Sequence, residues 1–229
     1  QATLDNIKSA KDFLKNSKPD DTFILFIAGH GVHDTDKEAT YYYLTHETNL
    51  SDLPNTAANF ELIEDLLQGI PPRNKLFLMD TCESGEIEEG VQKTYYASAD
   101  SRGLKGRGIK VAEKASSEPV KTEKRAYLYE KDRYIYNDLA RRSGAIVFSS
   151  SKGGELSYEK EEIQNGLFTE EIIKCLASKE ADKDMNGIIS NDELRDYVSK
   201  AVSESSGDLQ HPTVDRDNIY QKFGFGIVE

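Results

Sequence analysis

Two short apolar runs constrain this chain more than any other feature, because each stops abruptly at residues suited to chemistry. Thr22-Phe23-Ile24-Leu25-Phe26-Ile27-Ala28 carries no charge and leads into Gly29-His30-Gly31. Leu76-Phe77-Leu78-Met79 leads into Asp80-Thr81-Cys82-Glu83-Ser84-Gly85. Uninterrupted runs of this kind read as strands buried on both faces, the habit of parallel sheets. Residues 40–45 and Ala145 to Phe148 read as further strands, the second ending at Ser149-Ser150-Ser151. Around them lie stretches with apolar residues at helical spacing. Leu4, Ile7, Ala10, Phe13 and Leu14 share a face over residues 3–16, and Phe60, Leu62, Ile63, Leu66 and Leu67 form a second set, stopped by Gly69 and Pro71-Pro72. Residues 166–180 and 191–203 also read as helices. Strands alternating with helices predict an α/β fold, a mostly parallel sheet flanked by helices.

Charge and cysteine usage narrow the function classes. With 229 residues the chain can bury the core of one large α/β domain. A net charge of −12 argues against general nucleic-acid binding, which needs a positive surface to displace counterions, and against an anionic membrane surface as main partner. Neither a membrane-length apolar run nor a secretory leader is visible. The cysteines, Cys82 and Cys175, form no CxxC pair and no disulfide framework, which fits a reducing compartment, so a cytoplasmic location is expected. Cys175 sits at helical spacing with Ile172, Ile173 and Leu176 and reads as core.

In open α/β sheets chemistry collects beyond the carboxyl ends of the strands. Two predicted strands end there in His30 and Cys82. A thiol is a poor nucleophile until deprotonated; an imidazole can take its proton and later donate it to a leaving amine. The tetrahedral intermediate needs N–H donors aimed at its oxygen, and the amides of Gly31 and Cys82 are the candidates. A lone cysteine is more often a small core hydrophobe; the pairing of two such strand ends, each beside a glycine-containing turn, favours catalysis. His33 and His46 fall in polar loops and read as solvated, and His211, before Pro212, as a packing or capping residue. Tyr41, Tyr42 and Tyr43 cannot all face the core of a single strand.

These residues carry a family resemblance. The segment from Phe23 to Gly31 resembles the histidine strand of caspase-like (C14) peptidases, and that from Leu76 to Gly85 their cysteine strand. The 52 residues from His30 to Cys82 suit the caspase spacing. Gly144 to Ser151, Glu155, Glu159, Asn165 to Thr169, Asp182 to Val198, Gln210 to Thr213 and Asn218 are similar to later segments of bacterial, metacaspase-like members. The resemblance implies a caspase–hemoglobinase-like fold over a single domain at 1–229, beginning after the strand and helix with which the family usually opens. Those would either be absent from this sequence or lie on a separate N-terminal fragment after cleavage. It also implies a cysteine endopeptidase acting on protein or peptide substrates, with no cofactor required for the chemistry and with an activating sensor or scaffold protein as a plausible partner. In metacaspases the Asp two residues before the nucleophile lines the pocket for the P1 side chain. Asp80 matches it, which implies cleavage after Arg or Lys by charge-assisted hydrogen bonds. Glu83 departs from the metacaspase pattern, which usually has His there, and the string Cys-Glu-Ser-Gly is shared with legumain-like peptidases.

Two segments lie outside that chemistry. Between about 86 and 133 the periodicity dissolves into an expected flexible basic insertion. Within 102–125 there are eight basic residues against three acidic ones, so the stretch offers many basic cleavage sites and resembles the linker that caspase relatives cut on activation. Residues 182–193 fit the pattern D-x-[DN]-x-[DN]-G-x₅-E. Asp182, Asp184, Asn186, the Ile188 carbonyl and Glu193 would be the oxygen ligands of an EF-hand-like Ca²⁺ loop between two predicted helices. Two competing readings share the fold: a catalytically silent, calcium-responsive interaction domain, and a legumain-like cysteine hydrolase with another P1 preference.

Overall fold

The computed structural model describes residues 1–33, 40–81, 104–106, 143–152, 155–160, 162–163, 165–214, 218 and 222–227. Its centre is a four-stranded sheet in the order β1-β5-β7-β10, formed by β1 (Thr22–Gly29), β5 (Asn74–Thr81), β7 (Ile146–Ser149) and β10 (Thr213–Val214). The first three run parallel, and β10 is antiparallel to β7.

Strand alternation sorts the apolar runs onto two faces. Phe77, Met79 and Val147, with Phe23, Leu25 and Ile27, pack beneath α1 (Leu4–Leu14) and α3 (Phe60–Leu67). Leu76, Leu78, Ile146 and Phe148 pack beneath α4 (Leu167–Leu176) and α5 (Asn191–Ser206) through Phe168, Ile172, Cys175, Leu194, Val198 and Val202. Helix ends are closed by local side chains. Asn59 accepts from Leu62 N–H at 2.9 Å to start α3, Ser190 and Glu193 form a reciprocal capping box on α5, and Gly207 ends α5 in the left-handed conformation with φ 64°.

Several expectations change in three dimensions. β5 is buried on both faces as expected, but β1 is covered on one face only. Among the described residues it stands at the sheet edge, beyond the reach of α4 and α5, and Ile24 and Phe26 remain 46% and 44% exposed. Phe13, expected on the apolar stripe of α1, is exposed; at 3.6 residues per turn it lies roughly a third of a turn from the line through Leu4, Ile7, Ala10 and Leu14. All three tyrosines of β3 (Tyr41–Tyr43) are buried. β3 is the middle strand of a small antiparallel sheet between β2 (Gly31–His33) and β4 (Ala58–Asn59). Tyr41 and Tyr43 enter the core under α1 and α3, while Tyr42 packs on the other side with Val32, Leu53 and Ala57, near the short helix α2 (Leu53–Thr56). His33 belongs to β2 opposite Tyr41 rather than to a loop; His46 is exposed, as expected.

Most of the basic insertion lies outside the described residues. Within it, however, β6 (Leu104–Gly106) pairs antiparallel with β8 (Tyr158–Lys160). Leu104 anchors this pair by packing against Leu156, Tyr158 and Leu167. Among the described residues no helix is long and apolar enough to cross a membrane.

The two-faced core makes a stability contrast testable. Phe77→Ala should cost about 3–5 kcal/mol, as for a fully buried aromatic, whereas Phe26→Ala on the open face of β1 should cost about 1 kcal/mol or less. Urea unfolding of both variants beside the unaltered chain measures the difference.

Candidate functional site

The parallel ladder between β1 and β5 ends on the rung Gly29–Thr81. The next residue on one side is His30, which is exposed, and the next in sequence on the other is Cys82. Cys82 itself lies outside the described residues, as does its amide as an oxyanion donor. The His30 carbonyl accepts from Leu44 N–H at 2.9 Å, which ties the histidine turn to the end of β3. Gly31, the other oxyanion candidate, is buried at the start of β2. Its lack of a side chain has a local cause: a Cβ there would fall onto the phenol oxygen and ring of Tyr41.

Asp80 is wholly buried on the face covered by α4. The Thr169 hydroxyl, in the first turn of that helix, donates to its carboxylate. Gly166, the N-cap of α4, has no side chain to cap with. The Thr169 bond places the carboxylate beside the first turn of α4. Thr169 is a partner the sequence reading missed, and its place in the Asn165 to Thr169 segment was the available signal.

A polar lattice supports the strand ends from the β7 side. Ser150 N–H donates to Met79 O at 2.8 Å and Ser150 Oγ to Thr81 O at 3.1 Å; Ser150 and Ser157 hydroxyls bond each other. Gln210, fully buried, donates from Nε2 to Ser150 O at 2.8 Å and accepts from Tyr158 N–H at 2.9 Å. The next residue, His211, holds Glu155 twice, through its backbone N–H (2.9 Å) and its Nδ1 (3.0 Å), while its Nε2 lies 2.9 Å from Asp208. Asp208 foremost, then Glu155, raise the imidazole above its ordinary value, opposed mainly by burial and less by Lys152. The expected packing or capping role of His211 is thus a carboxylate clamp.

Cys175 behaves as the core residue it was expected to be. It is fully buried, and burial, with the charge of Glu193 as a second cause, pushes its thiol up to about 12. Such a thiol is inert at neutral pH.

The acidic loop closes as a compact turn. Asp182, Asp184 and Glu193 bring carboxylate oxygens within 4.8 Å of one another, and Gly187 turns with φ 80°. Asp182 accepts from Asn186 N–H (3.1 Å) and Gly187 N–H (2.8 Å), and Asn186 Oδ1 accepts from Ile188 N–H at 2.8 Å. Glu193 takes N–H groups of Ser190 and Lys183; the Ser190 amide foremost holds its carboxyl below the usual range. The donor set and turn fit a hard cation. Two details differ from expectation. α4 ends at Leu176, so no helix runs directly into Asp182, and the loop strand β9 (Ile188–Ser190) pairs with β11 (Gly224–Gly226).

A family model for the caspase domain of peptidase C14 matches residues 1–223. Among solved structures, a protein from Geobacter sulfurreducens matches with a TM-score of 0.53 at 16% identity, covering 100% of this chain and 75% of that one. At that identity the likeness is one of fold. No curated protein matches the sequence significantly.

The His211 clamp predicts a pH dependence. A histidine raised in the fold stabilises fully below its unfolded value near 6.5 and loses that contribution as pH rises through the folded value. The stability difference between the unaltered chain and His211→Gln should therefore be largest near about pH 6 and shrink toward about pH 9. Thermal unfolding across that range tests it.

Proposed function

Because this chain belongs to the peptidase C14 family, whose members carry the caspase domain, we propose that it is a cysteine endopeptidase working through Cys82 and His30. One observation carries the reading: the β1–β5 ladder ends on Gly29–Thr81, so the two reactive residues follow in sequence from the last rung of neighbouring strands. In the proposed reaction His30 takes the Cys82 proton and the thiolate attacks the scissile carbonyl. The Gly31 and Cys82 amides bind the oxyanion, and His30 returns the proton to the leaving amine. Water then hydrolyses the thioester. The chemistry needs no cofactor.

Asp80 is the proposed P1 determinant. A buried carboxylate near the nucleophile favours Arg or Lys and repels Asp. Its position on the face under α4, two residues before Cys82 in sequence and bonded to Thr169, supports this reading. Self-cleavage between 102 and 125 follows from the same preference. Lys105 is engaged in the β6–β8 ladder, so cutting should fall on the other basic residues of that stretch. On the far side of β1 an added strand, from an N-terminal fragment or an activating partner, would find an edge with a neighbour on one side only among the described residues, and would cover Ile24 and Phe26. Ca²⁺ at Asp182, Asp184, Asn186, Ile188 and Glu193 would replace loop N–H groups as partner of the converging carboxylates and stiffen the β9–β11 corner.

Two measurements test this. Fluorogenic peptides with Arg or Asp at P1 should be cut only in the Arg form. Cys82→Ala should abolish cutting and the wild-type fragment masses from 102–125, and Asp80→Asn should lower kcat/KM for the Arg peptide roughly 10- to 100-fold. Faster cutting of the Asp peptide would reject the pocket assignment. No Cys82-dependent cleavage with the β1 edge supplied would favour a silent interaction domain. Separately, titration calorimetry with Ca²⁺ should show one site in the unaltered chain and none in Asp182→Ala.

A further inference from the structure

The ladder between β1 and β5 stops at Gly29–Thr81, one residue short of both proposed catalytic groups. One side chain joins the two strand ends beyond that rung. The ring of Tyr41 is seated where a Gly31 side chain would be, directly after His30. Its hydroxyl donates to Thr81 Oγ1 at 3.1 Å, directly before Cys82. Tyr41 reaches Gly31 on the diagonal, since its cross-strand partner is His33.

Tyr41 is itself held tightly. It is 3% exposed, and its ring meets Tyr43 edge-on at 5.0 Å and 84°. Tyr43 in turn points its hydroxyl to Met79 Sδ at 2.9 Å, on the same strand as Thr81. The Thr81 carbonyl is anchored by the Ser150 hydroxyl. A phenol so confined cannot serve substrate, but it bridges Gly31 and Thr81.

We propose that Tyr41 is a positioning residue that spaces the histidine and cysteine turns by packing on Gly31 and hydrogen-bonding Thr81. The proposal rests on the Cys82–His30 reading. It deepens that reading by naming a residue that ties together the two strand ends from which the pair follows, where small displacements cost large factors in rate.

The experiment uses Tyr41→Phe, which keeps the ring over Gly31 and removes its hydrogen bond to Thr81, and Thr81→Val, which removes that bond from the other side. The double variant and His30→Ala complete the set, with thermal melts confirming that each is folded. Two readouts are taken: steady-state kinetics on an Arg-P1 peptide, and the pH profile of Cys82 alkylation by iodoacetamide, resolved from Cys175 by peptide mass. We expect either single substitution to lower kcat by about tenfold with KM within about twofold. The alkylation midpoint should move up toward that of an ordinary thiol, and the double variant should be no worse than either single. An unchanged pH midpoint, or losses that simply add in the double variant, would overturn the positioning role and leave the dyad intact. If the unaltered chain already shows an ordinary thiol profile that His30→Ala does not move, the dyad reading falls and this proposal falls with it.

Discussion

Apolar burial on both sides of β5 is the constraint from which the rest of the structure follows. Phe77 and Met79 face one helix pair and Leu76 and Leu78 the other, so the strand cannot slip by one residue without turning every side chain to the wrong face. That fixed register passes to both neighbours through the β1 and β7 ladders. It also sets where each strand runs out, at Thr81 on β5 and Gly29 on β1. The precision of the candidate site is therefore borrowed from the core, and the polar residues around it refine a geometry that hydrophobic burial has already imposed.

What was legible in the sequence was what local pattern controls. The uninterrupted run at 76–79, the helical spacing at 60–67 and the capping residues of 190–193 each specify an element without reference to distant parts of the chain. The misreadings share a different origin. β1 reads like β5 in composition, but whether a strand is central or at an edge depends on neighbours that composition does not encode. Tyr41, Tyr42 and Tyr43 do not all face one core, as expected; all three are buried because Tyr42 meets a second, smaller core on the other side of the strand. Leu104 looked like one residue of a basic tract, yet a single buried leucine suffices to recruit a three-residue strand against β8.

Candidate site residues divide in the same way. His30 and Cys82 were found because reactive residues stood where apolar runs stop. Thr169, Ser150 and Gln210 were not assigned roles, since their contribution lies in long-range hydrogen bonds: Thr169 to Asp80, Ser150 to Thr81, Gln210 to Ser150 and Tyr158. Hydroxyls and amides leave no periodic trace, and being buried they must find partners wherever the fold offers them. Gly31 was noticed as an amide donor, while the tyrosine ring that excludes a side chain there comes from the neighbouring strand β3.

The edge of β1 carries a further consequence. Natural sheets protect open edges with lysines, prolines, bulges or very short strands. None of these interrupts Thr22 to Gly29, an eight-residue strand without a charged side chain. A segment of that composition, rich in β-branched and aromatic residues, has the signature of a steric-zipper former. Left uncovered, it is a template for edge-to-edge aggregation, so the colloidal lifetime of the domain depends on what caps this strand as much as on the depth of its core.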